Sequence, residues 1–176
     1  MEMDEWAKID HLMKKWILVL PLLFLPGILI AAPDPLEKVA KELADGIGTQ
    51  RQAKVAVVGI AHHDNHKSDG PALVSERLTT YLAKDKRFHV VERNQIAQIL
   101  SELRLSETGL INRASAKRIG EGLGADVIVT GTLIDLGNQK TELNARALFS
   151  GTGRVIAASR TLLDRTWLGR RNLGRQ

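Results

Sequence analysis

With 176 residues and 44% apolar side chains, the chain can bury one core of ordinary size but not two comfortable domains. Its net charge of +5 is uneven: residues 1–32 carry 3 basic and 4 acidic side chains, residues 33–164 carry 18 and 16, and residues 165–176 carry 4 and none. Basicity confined to a short tail, with only Tyr81, Phe88 and Phe149 as aromatics between 33 and 164, argues against nucleic-acid binding; the absence of cysteine removes disulfides, thiolate metal sites and a lipid-attachment cysteine.

Residues 16–32 (WILVLPLLFLPGILIAA) form an uncharged apolar run directly behind Lys14 and Lys15, the layout of a secretory signal. Seventeen residues broken by Pro21 and Pro26 sit at the lower limit for spanning a bilayer and would make a poor buried helix. A cleaved signal is expected, with an uncleaved anchor as the alternative. Either one exports the remainder of the chain to the periplasm or the outer membrane.

Residues 33–53 read as a stiff Pro33-Asp34-Pro35 link and an amphipathic helix carrying Leu36, Val39, Ala40 and Leu43. Residues 54–60 (KVAVVGI) suit a strand buried on both faces, followed by a loop rich in His, Asp and Gly. Val74, Leu78, Tyr81 and Leu82 share one helical face, and a short strand follows at 88–91. Ile96, Ile99, Leu100 and Leu103 predict another helix, and Ala116, Ile119, Gly120 and Leu123 a third. Residues 126–134 (DVIVTGTLI) then open a meander. Gly137-Asn138 turns into a strand at 141–149, where Leu143, Ala145, Ala147 and Phe149 alternate with the opposite row, and 151–153 turn into a strand at 155–163. The expected fold is α/β in its first half and antiparallel in its second: one domain, with a mixed sheet of about five strands flanked by helices.

His62, His63, Asp64, His66 and Asp69 make the one dense group of potential metal ligands. Adjacent histidines seldom point at one centre and no second ligand pair accompanies them, so a solvated polar loop is expected and no metal is assigned. Gly120, Gly122 and Gly124 lie at the end of a helix rather than at its start, the reverse of a dinucleotide fingerprint, so they predict a helix C-cap packed on the next strand and no cofactor. Ser75, Ser101, Ser106, Ser115, Ser150 and Ser159 include no nucleophile elbow or Asp-His arrangement. Glu92 and Arg93, at a strand-to-helix junction, read as a cap or salt link. No catalytic residue is assigned, and the chain is not expected to be an enzyme. Residues 165–176 (RTWLGRRNLGRQ) read as a solvated tail, with a docking peptide for an anionic surface as the sharper alternative.

Taken together, KVAVVGI with its polar loop, LVSERLTTYLAKDKRFHVVERNQIAQILSEL, the turn at 107–110 and AKRIGEGLGADVIVTGTL resemble the FlgO domain and the related CsgG and LpoB-like periplasmic domains. The most specific pieces are Val91-Glu92-Arg93 after a strand and Leu123-Gly124-Ala125-Asp126 before Val127-Ile128-Val129-Thr130-Gly131. The resemblance implies a sheet flanked by helices over 54–164, a periplasmic or outer-membrane-associated location, and no catalytic residues. It also implies a role in assembling or stabilising a surface structure: the flagellum for FlgO, secretion of curli fibres for CsgG, activation of a penicillin-binding protein for LpoB-like proteins. Envelope or flagellar proteins are the partners it implies. The chain departs from the lipid-anchored members in lacking the cysteine, and it is too short to supply the membrane-spanning hairpins of a CsgG pore.

Overall fold

The computed structural model describes residues 34–48, 52–105 and 111–167. The expected export segment at 1–32 and the turn at 107–110 lie outside the described residues, as does the tail beyond Trp167. In chain order the elements are α1 (Pro35–Ile47), β1 (Ala53–His62), α2 (Gly70–Ala83), β2 (Phe88–Val90), α3 (Arg93–Glu102), α4 (Arg113–Leu123), β3 (Val127–Leu136), β4 (Lys140–Phe149) and β5 (Arg154–Asp164).

The strands form one open mixed sheet in the order β2-β1-β3-β4-β5. β1 pairs in parallel with both β2 and β3, while β3, β4 and β5 run antiparallel through hairpins. The path from β1 through α2 to β2 steps one way across the sheet, and the path through α3 and α4 to β3 steps back past β1. Right-handed crossovers in opposite directions must place their helices on opposite faces. The core divides accordingly: Val39, Leu43, Val74 and Leu78 of α1 and α2 pack on Val55, Val129 and Leu143, whereas Ile96, Leu100 and Ile119 of α3 and α4 pack on Ala56, Val58 and Ile128. The expected fold class is the one observed.

Local chemistry fixes the helix ends. Asp34 caps α1 by accepting the Leu36 amide at 3.0 Å, with Pro35 preset for the first turn. The same carboxylate accepts the Tyr81 hydroxyl at 2.6 Å and pairs with Arg77, which ties the start of α1 to α2. At the end of α4, Gly124 adopts φ 60° and the Ala125 amide bonds the Gly120 carbonyl at 2.9 Å. A Cβ on Gly120 would fall 2.3 Å from the Ser150 Cβ. The glycines in IGEGLGAD therefore serve as a helix stop and a close-packing surface, as their order in the sequence predicts.

One irregularity in β1 decides where its last residues point. Val57 lies opposite Val129 but Ile60 lies opposite Gly131, so β1 carries one extra residue between them. Gly59 absorbs it at φ 69°, in the left-handed region that favours glycine, and the buried Thr130 hydroxyl donates to the Gly59 carbonyl at 3.0 Å. Because side chains alternate along a strand, a single inserted residue moves all that follow to the other face. Ile60 and His62 thereby join the α1/α2 face. Ile60 settles over Gly131, where a Cβ would come within 2.9 Å of its Cδ1 and 3.2 Å of the Leu143 Cδ1.

Three expectations are corrected. β1 extends two residues beyond 60 because β3 continues to pair with it, so His62 is a buried strand residue rather than part of a polar loop. Phe149 does not share the burial of Leu143, Ala145 and Ala147: it pairs with the first residue of β3 at the end of the ladder and is exposed, while Leu148 points into the opposite core. The basic tail also begins inside the fold. Arg165 binds Asp135 at 2.9 Å, and the partly buried Trp167 ring lies so close to Gly70 that a Cβ there would meet it at 2.5 Å.

Candidate functional site

β2 pairs with β1 only over Ala53, Lys54 and Val55, while β1 runs on to His62. Beyond that point the β1 edge has no neighbouring strand among the described residues, and α2 and α3, on opposite faces, stand apart across it. The gap is a cleft of about 340 Å³ lined by β1 from Val57 onward, by Ser75 and Glu76 of α2, and by Glu92 and Arg93 at the start of α3. It sits at the carboxyl end of the parallel strands, between β1 and β2, adjacent strands whose onward connections run in opposite directions across the sheet. Open α/β sheets place ligands at this position. Glu92 occupies the cap position of α3 without a side-chain cap bond, and Arg93 pairs with Glu76 at 3.9 Å rather than with Glu92. Both side chains of that pair are more than half exposed, so it contributes little stability.

At one end of the cleft the structure gathers a polar cluster. The bulge at Gly59 puts His62 on the same face as Leu133, its partner in β3, and Asp135 follows two residues later on that face. His62 is 1% exposed, its Nε2 lies 2.6 Å from the Ser68 Oγ, and its Nδ1 lies 3.9 Å from Asp135 Oδ1 with no hydrogen-bond partner. The loop carries His66 back over it, with ring centroids 3.7 Å apart. His66 Nε2 is 3.6 Å from Asp135 Oδ2, and its Nδ1 contacts Asp64 Oδ1 at 2.6 Å. The buried Thr141, opposite Asp135 in β4, donates its hydroxyl to Asp135 Oδ1 at 2.6 Å.

Of the five residues singled out in the loop, the structure brings His62, Asp64 and His66 together. His63, in the turn just past the end of β1, is exposed, and Asp69 is exposed ahead of α2. Asp135, Thr141 and Arg165 were not singled out; they arrive through the register of β3, β4 and the end of β5, and no local spacing announces them. Ser68, outside the serines weighed above, completes a Ser-His-Asp order with His62 and Asp135. The geometry does not make a hydrolase triad. A separation of 3.9 Å exceeds hydrogen-bond reach, Asp135 is committed to Thr141 and Arg165, and the Ser68 Oγ already accepts the Gly70 amide at 3.1 Å.

The electrostatics favour an unprotonated His62 and a charged Asp135. Burial, reinforced by neighbouring His66, lowers the His62 pKa against the opposing pull of Asp135. For Asp135, burial alone would raise the pKa, but hydrogen bonds from Thr141 and Arg165 outweigh it and hold the carboxyl below its usual range. Asp34 follows the same pattern, with Tyr81, the Leu36 amide and Arg77 overcoming burial. Each folded-state pKa is depressed, so each contributes stability that is complete above the unfolded-state value and lost as pH falls. The melting temperature should therefore be level above pH ~6.5, decline as the unfolded state takes up the proton that His62 resists, and fall again below pH ~4 as the aspartates titrate. A melting temperature unchanged between pH 7 and 4.5 would rule out the His62 step.

The family model described as curli production assembly/transport component CsgG matches residues 48–161, nearly the whole sheet with α2, α3 and α4. Among solved structures, the LpoB C-terminal domain from Salmonella enterica superposes with a TM-score of 0.59 at 17% identity, covering 74% of this chain and 96% of that one. LpoB from Escherichia coli, solved by NMR, gives 0.60 at 19% identity and covers 75% and 71%. A lipoprotein of Neisseria meningitidis gives 0.50 at 14% identity and covers 64% and 80%. At these identities the likeness is one of fold. Comparison with curated proteins gives no match.

Proposed function

We propose that this chain, which belongs to the CsgG family of curli production assembly/transport components, is a non-catalytic cell-envelope protein that helps assemble or stabilise a surface structure through protein contacts. The observation that carries the proposal is the family match across 48–161, which takes in β1 to β4, most of β5 and the cleft between α2 and α3. The flagellum is the structure served in the FlgO-like reading. Residues 16–32 supply the export signal, which places the domain in the periplasm or at the outer membrane, and Arg170, Arg171 and Arg175 supply charge for contact with an anionic membrane surface. Among the described residues no helix is long and apolar enough to cross a membrane.

A deletion strain tests the proposal. Reduced motility or defective surface fibres, restored by the gene in trans, is the expected result; an unchanged flagellum and envelope would overturn it. The coverage of 96% of the Salmonella LpoB domain supports a second reading, LpoB-like activation of a penicillin-binding protein. In that case the purified chain should retain a penicillin-binding protein and raise its peptidoglycan synthesis, with motility intact.

A further inference from the structure

We propose that His62, His66 and Asp135 form a binding site for a divalent transition-metal ion of the zinc class, a property beyond the envelope role argued above. One ligating atom from each residue lies within 4.8 Å of the others, with His62 Nδ1 3.9 Å from Asp135 Oδ1 and His66 Nε2 3.6 Å from Asp135 Oδ2. Metal–ligand bonds of about 2.0–2.1 Å in a tetrahedral site place ligand atoms about 3.3 Å apart. The set closes on an ion by drawing each pair together, and His66, on a loop and 36% exposed at its side chain, has the freedom to do so.

The outer contacts of the two imidazoles are those of metal-ligating histidines. His66 is held at Nδ1 by Asp64, and His62 is held at Nε2 by Ser68, so each ring is anchored at the nitrogen facing away from Asp135. The nitrogen facing Asp135 is left to ligate, as happens where a carboxylate or hydroxyl behind a ligating imidazole sets its tautomer and aim. The buried His62 Nδ1 has no hydrogen-bond partner, although an unsatisfied buried polar atom is costly. A cation between this nitrogen and the Asp135 carboxylate gives the nitrogen the partner it lacks.

Two nitrogens and one carboxylate favour zinc, copper or nickel over magnesium or calcium, and leave a fourth position for water or a partner's side chain. Arg165 competes for the site, because its guanidinium bonds Asp135 Oδ2 at 2.9 Å. The ion must share or take that oxygen. In doing so it ties the end of β1 and the loop before α2 to β3, at the border of the cleft.

Calorimetric titration of the full chain with zinc chloride in a non-chelating buffer, with magnesium chloride as control, tests the proposal. One zinc ion per chain should bind, and magnesium should not. His66→Ala, at a partly exposed loop position outside both hydrophobic clusters, should weaken zinc at least tenfold while the chain in chelator still unfolds cooperatively. Asp64→Asn, which weakens the contact that aims the His66 ring, should weaken zinc by about 10-fold, and Arg165→Gln should tighten it by removing the competing cation. No zinc binding at 100 µM, or binding that His66→Ala leaves unaltered, would overturn the site.

Discussion

Leu143→Ala should lower the free energy of unfolding by about 2–5 kcal/mol, read as a shift in the urea midpoint, with the melting temperature falling by roughly 10 °C. Leu143 is fully buried in β4, and its Cδ1 and that of Ile60 both crowd the space where Gly131 lacks a side chain. Truncation loses the transfer energy of the removed atoms and leaves a cavity. Pairing with β3 on one side and β5 on the other holds the β4 backbone too firmly to collapse into it. Against a total stability of about 5–15 kcal/mol, the loss is a large fraction. A loss under about 1 kcal/mol would mean that Leu143 is not part of the main core.

The elements that sequence reasoning located are those whose period is carried by many residues. α1 shows its buried stripe as Leu36, Val39, Ala40 and Leu43, and the end of α4 shows its cap as a glycine before Ala125-Asp126, because both are encoded within one or two turns of chain. The polar cluster is encoded otherwise. His62 and Asp135 are 73 positions apart and meet only because β1 and β3 pair in parallel with one particular register, which no local pattern specifies. Arg165 reaches the same carboxylate from beyond β5, by way of two hairpins. The one local clue was Gly59, an isolated glycine within a β-branched run, which signals a bulge or a close backbone approach. The polar residues from His62 onward make the run read as ending at Ile60, two residues before β1 ends.

That glycine provides the second large effect, since Gly59→Val should damage the fold and the cluster together. Valine is strongly disfavoured at φ 69°, so the variant must either hold the strained backbone, at about 1–3 kcal/mol, or expel the extra residue from β1. Expulsion restores simple alternation and turns Ile60 and His62 to the α3/α4 face. The space over Gly131 then empties, the Thr130 hydroxyl loses the carbonyl it bonds, and an imidazole is driven against apolar side chains. Gly59→Asn separates these effects, because asparagine tolerates the left-handed region far better than a β-branched residue and should keep the bulge. Urea denaturation gives the stability of each variant, and diethyl pyrocarbonate labelling reports on His62, which is 1% exposed in the native fold and should be protected there. The expected order of stability is Gly, Asn, Val, with His62 labelled faster in the valine variant alone. Equal stability of the valine variant, with His62 still protected, would show that β1 forms its bulge without glycine and that the aim of His62 is set elsewhere in the strand.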